Sequence, residues 1–122
     1  MFNKEETVSF LVDLLSINSP TGYTKKAIHF LENSIETMGY ETEKTPKGNL
    51  IVRVDGQDAS KTRGLSAHVD TLGLMVRSIN SDGTLALTTL GGPLTPTLDG
   101  EYCEVITRDE RTYTGTILSK SP

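Results

Sequence analysis

A chain of 122 residues, 35% hydrophobic and 23% charged, has the make-up of one globular domain rather than a disordered tail. Sixteen acidic side chains against twelve basic ones leave a net charge of −4, which excludes the broad basic footprint of a nucleic-acid or anionic-membrane binder. The single cysteine, Cys103, excludes an intrachain disulfide and fits a reducing cytoplasm. The N-terminus has no basic-then-apolar secretory leader, and no apolar run approaches the roughly 20 residues needed to span a bilayer.

The first predicted element is a helix. Asn3 can cap it, and Glu6 can reach back as in a capping box. Val8, Leu11, Val12 and Leu15 then form one apolar stripe. Pro20 and Gly22 interrupt the pattern between Ser16 and Tyr23. A second helix begins at Thr24, a potential cap, with Ala27, Ile28, Leu31, Ile35 and Met38 as its buried face and Gly39 as its stop. Lys25 and Lys26 stand in its first turn, against the helix dipole.

Beyond Gly39 the period changes to two. Tyr40 to Lys44, Leu50 to Val54 and Gly64 to Val69 read as strands, the last one ending at Asp70. Helices followed by strands suggest an α/β layer. From Gly73 onward, Leu74 to Ile79, Thr84 to Thr89, Tyr102 to Thr107 and Thr112 to Leu118 are short strand-like segments. Turn signals at Ser81-Asp82-Gly83, Gly91-Gly92-Pro93 and Arg108-Asp109-Glu110 separate them, which suggests a small β-barrel or sandwich. The boundary between the two regions is expected near Leu72.

His68 and Asp70 carry the chemical case. Strand residues two apart point to one side. An imidazole can bind a metal through one nitrogen while a carboxylate takes the proton of the other, which fixes the tautomer. As a bare motif, His-x-Asp is weak, and a strand-end histidine bonded to a turn aspartate competes with it. The remaining candidates have duller readings. His29 belongs to a polar helix face with Glu32, Asn33 and Glu36. Cys103 shares a strand face with Val105 as a buried thiol. Gly91-Gly92-Pro93 lacks the Lys and Ser/Thr of a phosphate loop. Ser16, Ser19 and Ser66 have no recognisable base partner.

Ser66-Ala67-His68-Val69-Asp70-Thr71-Leu72-Gly73 resembles the Ala-His-x-Asp-x-x-Gly stretch of the M42 metallo-aminopeptidases, the glutamyl and tetrahedral aminopeptidase family. Ser19-Pro20-Thr21-Gly22 looks like that family's Pro-Ser-Gly loop. Gly48-Asn49-Leu50-Ile51 looks like its Gly-Asn-Leu-Ile strand. Leu90-Gly91-Gly92, Leu98-Asp99-Gly100-Glu101 and Gly115-Thr116-Ile117 resemble the opening strands of its dimerisation domain. No single match is specific, but their order and spacing together are.

The resemblance implies residues 1–72 as the N-terminal part of an α/β zinc-peptidase catalytic domain. It implies residues 73–122 as the incomplete beginning of an inserted, barrel-like β-domain. It also implies two divalent metals, zinc or cobalt, that activate water against a peptide carbonyl. His68 would be a metal ligand, and Asp70 the catalytic carboxylate that holds and tunes it. Peptides would be the substrates, and homo-oligomers would form through the β-domain, with no nucleic-acid or membrane partner. The family's bridging Asp, its Glu pair and its last His have no counterpart before Pro122, and Thr71 stands where Glu is common. Two donors do not make a zinc site, so this chain by itself is expected to hold zinc weakly or not at all and to lack peptidase activity. Two other readings stay open: a truncated, non-catalytic module that folds and self-associates, and a related two-metal hydrolase that removes acyl groups from amino acids.

Overall fold

The computed structural model describes residues 3–119. The chain divides into two compact units, with the boundary between Gly73 and Leu74.

Two helices open the first unit, α1 over Lys4–Leu15 and α2 over Lys25–Thr37. Asn3 caps α1: its side-chain oxygen accepts from the backbone N–H groups of Glu5 at 3.1 Å and Glu6 at 3.4 Å, which satisfies two of the four free donors at that end. The return arm from Glu6 is not formed among the hydrogen bonds of the described residues. Thr24 does stand at the start of α2, but its side chain makes no capping bond, because its backbone is already helical. Gly39 ends α2 at φ +87°. The Gly39 N–H donates to the Glu36 carbonyl and the Tyr40 N–H to the Ile35 carbonyl, a Schellman closure that favours glycine at that position.

The helices meet differently from the sequence expectation. The rings of Phe10 and Phe30 pack at a centroid distance of 5.4 Å, and Phe10 and Leu14 are half-buried. The stripe of Val8, Leu11, Val12 and Leu15 lies on exposed positions. On α2, Ala27 is buried, and Ile28, Leu31 and Ile35 are partly covered. Met38, expected on the buried face, is exposed because it is already the C-cap. Thus α1 is apolar on two faces and satisfies only one of them here. A helix of that kind belongs between two layers.

An antiparallel hairpin follows, β1 over Thr42–Lys44 and β2 over Leu50–Val52, in the register Thr42↔Val52 and Lys44↔Leu50. Lys44 and Thr42 on β1 hydrogen-bond to Glu32 and Glu36 on α2. Both strands are shorter than their sequence patterns. The expected strand from Gly64 to Val69 is absent. A strand exists only in a ladder, and the described residues offer this segment no partner. Its nearest ordered pairing is one isolated parallel bridge, Pro20 to Thr71.

The second unit contains β3 (Gly73–Ile79, which begins on the last residue of the first unit), β4 (Leu85–Leu90), a 3-10 turn at Thr95–Thr97, β5 (Tyr102–Ile106) and β6 (Thr112–Thr116). β3 pairs with β4, and β5 pairs antiparallel with β6 from Tyr102↔Thr116 to Ile106↔Thr112. No ladder joins the two sheets among the described residues, so no closed barrel is formed within them. Cys103 and Val105 do share a face, packed over Gly115.

The interior is small. Among the described residues, only Ala27 and Ser19 are buried. The accessible surface is 10667 Å². Two compact bodies sharing this mass would expose only about 7,700 Å² even if they never touched. Large apolar side chains such as Leu11, Leu15, Leu65 and Ile79 are exposed, and further polypeptide is the usual cover for such faces.

Candidate functional site

The site lies where two segments far apart in sequence are stitched together. Gly22, at φ +88°, turns the chain after α1, and the Tyr23 N–H closes the turn on the Pro20 carbonyl at 2.7 Å. The Thr71 N–H then donates to the Ser19 carbonyl at 2.8 Å. Ser19 is buried at this seam. Gly73 permits the approach: a Cβ built there would lie 2.5 Å from the Pro20 Cβ.

His68 and Asp70 come together on this seam. His68 Nδ1 lies 3.0 Å from Asp70 Oδ1 and 3.0 Å from the Asp70 backbone oxygen. Both neighbours are acceptors, so Nδ1 carries the proton and donates it. That leaves Nε2 as the free lone pair, on a side chain that is 85% exposed. His68 therefore does not sit at the end of a buried strand, as its sequence context suggests. It stands on an irregular segment in the open.

Asp70 is less exposed, at 37% of its side chain, and both its oxygens are engaged. Oδ2 accepts a 2.7 Å hydrogen bond from the Thr21 hydroxyl, and Oδ1 faces His68. The Thr21 hydroxyl is the main cause of a carboxyl held below its ordinary value, and the His68 contact adds to it. Partial desolvation opposes them. Asp70 is thus an anion over the neutral range, suited to hold an imidazole N–H.

An imidazole with a free Nε2, backed by a carboxylate, has the donor chemistry of one end of a zinc-type metal centre. The described residues contain no group of three or more His, Cys, Asp or Glu side chains placed to enclose a metal. Two donors therefore fit part of such a centre and do not complete it. The other candidates stay apart from this place. His29 is exposed and paired with Glu32 and Asn33 on α2, as its polar face implies. Cys103 is half-buried within β5. The turn around Asp109 is closed by Thr107 and Arg111.

Thr21 is the residue that sequence reading missed. The Ser-Pro-Thr-Gly loop stands out as a turn, but nothing in a spacing of 49 positions signals that its hydroxyl reaches Asp70.

A profile of the M42 glutamyl aminopeptidase family matches residues 48–122, more than half of the chain. The chain belongs to the M42 family. The Bacillus subtilis (strain 168) protein YhfE, named as an aminopeptidase, is 42% identical over 118 residues, which are 97% of this M42 chain and 34% of that protein. A protein of Thermococcus kodakarensis (strain ATCC BAA-918 / JCM 12380 / KOD1), named as a LysW-lysine/LysW-ornithine hydrolase, is 34% identical over 85 residues. That match covers 70% of this chain and 24% of its relative. Among solved structures, the TET aminopeptidase from the marine sediment archaeon Thaumarchaeota archaeon SCGC AB-539-E09 superposes with a TM-score of 0.82 at 24% identity. The match spans 98% of this chain and 33% of that one. The mixed α/β fold is therefore that of a TET aminopeptidase segment. The chain spans about a third of the length of the Bacillus subtilis relative and of the TET aminopeptidase.

Proposed function

We propose that this chain is the N-terminal portion of a two-metal aminopeptidase that removes N-terminal residues from peptides. The observation that carries the reading is the His68–Asp70 pair, with Nε2 turned outward, in a chain of the M42 family. In this reading His68 is a ligand to one of two divalent metals, zinc or cobalt. Asp70 is the carboxylate that holds His68, and the remaining donors come from polypeptide beyond these residues. Bound there, the metals would polarise the peptide carbonyl and activate water. Residues 1–72 would belong to the α/β catalytic domain and residues 73–122 to the start of an inserted β-domain.

The isolated 122-residue chain has two of the donors and is proposed to be inactive and to hold zinc weakly, since catalytic zinc takes three ligands from protein. Homo-oligomers would form through the second unit, whose Met75, Ile79, Tyr102 and Tyr113 are exposed beside strand edges that have no ladder partner among the described residues. The cytoplasm is the proposed compartment, consistent with one unpaired cysteine. No helix among the described residues is long and apolar enough to cross a membrane.

The test is His68→Ala in the full-length protein, read by metal content and by hydrolysis of aminoacyl anilides. The expected outcome is loss of about one metal per chain and a fall in activity of about 100-fold or more. Unchanged metal content and activity would end the proposal. Sedimentation of the same preparation reads the assembly, and a monomer at every concentration would end that part. One relative is named as a hydrolase of LysW-lysine and LysW-ornithine, which favours removal of an acyl group from an amino acid as the second reading. Anilides that stay intact while an acylated lysine is cleaved would select it.

A further inference from the structure

The tie between Thr21 and Asp70 spans the first unit, yet the metal-site reading assigns the threonine no task. We propose that Thr21 is a positioning residue, whose hydroxyl orients the Asp70 carboxylate so that His68 presents Nε2 to a divalent metal. The inference rests on the metal-site reading of His68.

The geometry is that of a relay with one donor for each oxygen. The Thr21 hydroxyl donates to Oδ2 at 2.7 Å, and His68 Nδ1 lies on Oδ1 at 3.0 Å. A carboxylate anchored at one oxygen cannot rotate about its Cβ–Cγ bond without breaking that bond, so its other oxygen stays on the imidazole. His68 and Asp70 lie on a segment with no strand or helix of its own, where the backbone alone provides little rigidity. Rigidity is brought to it from the Pro20 turn by the Thr71–Ser19 hydrogen bond, by the close Gly73–Pro20 approach, and by Thr21 itself. Of these three ties, only the Thr21 hydroxyl acts on a side chain of the site.

The Asp70 backbone oxygen also faces Nδ1 at 3.0 Å. It preserves the Nδ1–H tautomer when the carboxylate swings away. Removing the hydroxyl is therefore expected to disturb the ring's orientation and its polarisation by the carboxylate more than the identity of the protonated nitrogen. Partners one step behind a ligand typically affect metal affinity by 10–100-fold. Thr21 acts one step further back, so the low end applies.

The experiment uses the full-length protein with zinc as the probe, and compares wild type, Thr21→Val, Thr21→Ser and His68→Ala. Zinc affinity is measured by competition with a chromophoric chelator, and the His68 ring is followed by 15N NMR. Thr21→Val keeps the shape and removes the hydroxyl. It should weaken zinc about tenfold and shift the His68 ring nitrogens, while Thr21→Ser retains wild-type values of both. Equal affinity in Thr21→Val and wild type, with zinc lost in His68→Ala, would overturn the positioning role and leave the metal site standing. Equal losses in Thr21→Val and Thr21→Ser would also overturn it, since a retained hydroxyl would then give the site no protection. Zinc binding unchanged in His68→Ala would instead remove the metal-site reading on which the inference rests. If Thr21→Val does not fold, Thr21→Ala against Thr21→Ser carries the same comparison.

Discussion

The hairpins of the second unit and the His68–Asp70 segment of the first are built on opposite plans. In the β3–β4 hairpin, everything that shapes the turn lies within five residues. Gly83 sits at φ +83°, its N–H donates to the Asn80 carbonyl, and the Asp82 carboxylate accepts from the Thr84 hydroxyl and N–H. The β5–β6 turn repeats the plan with Thr107, Asp109 and Arg111. The His68–Asp70 segment has one short-range contact, from His68 Nδ1 to Asp70, but that contact does not anchor the segment to the rest of its unit. Its fixed points are Ser19, Pro20 and Thr21. Local turns define themselves, whereas the site depends on a loop from the other end of its unit.

If that contrast is right, the largest effect should come from breaking the seam. Gly73→Ala forces a Cβ to within 2.5 Å of the Pro20 Cβ, so the two segments must part. The expected cost is about 1–3 kcal/mol, as for an overpacked contact, read by urea denaturation of the full-length protein. An unchanged midpoint would mean that the seam is slack. Gly83→Ala should cost less, about 1 kcal/mol, since a methyl there meets open space and only the left-handed backbone resists it. It should act on the β3–β4 hairpin alone, so an NMR spectrum that also shifts His68 would break the contrast.

Acid should produce the smallest effect. The Thr84 hydroxyl and N–H hold the Asp82 carboxyl below its ordinary value of 3.8, and the Thr107 hydroxyl, followed by Arg111, does the same for Asp109. With the folded value the lower one, the unfolded chain binds the proton first. Each carboxylate's contribution is complete above pH 3.8 and is lost as pH falls through the folded value. The midpoint of the Thr84 amide resonance's movement with acid should therefore lie below pH 3.8. Movement finished above that point would show that the turn does not hold its carboxylate.

Legibility followed the same division. Asn3, Gly39 and Asp82-Gly83 act through neighbours a few residues away, and the structure has the cap, the helix stop and the turn where the pattern puts them. The five residues expected on the inner face of α2 are covered except Met38. The stripe on α1 proved to be its exposed side, because periodicity finds an apolar face without saying what covers it. The strand expected from Gly64 to Val69 failed for a related reason: β-composition is local, but a ladder needs a partner.

At the site, the sequence order alone singled out His68 and Asp70 as a pair two residues apart, along with the Ser-Pro-Thr-Gly turn and the likeness to M42 enzymes. Short-range chemistry is written in short-range order, and family likeness in the order of motifs. Tertiary structure alone decided that Nδ1 faces two acceptors and Nε2 is free, and that Thr21 closes on the far oxygen of Asp70. It also decided that a missing Cβ at Gly73 lets Pro20 draw near. The last two contacts join residues about fifty positions apart, and only the path of the folded chain selects them from the many pairs that a sequence permits.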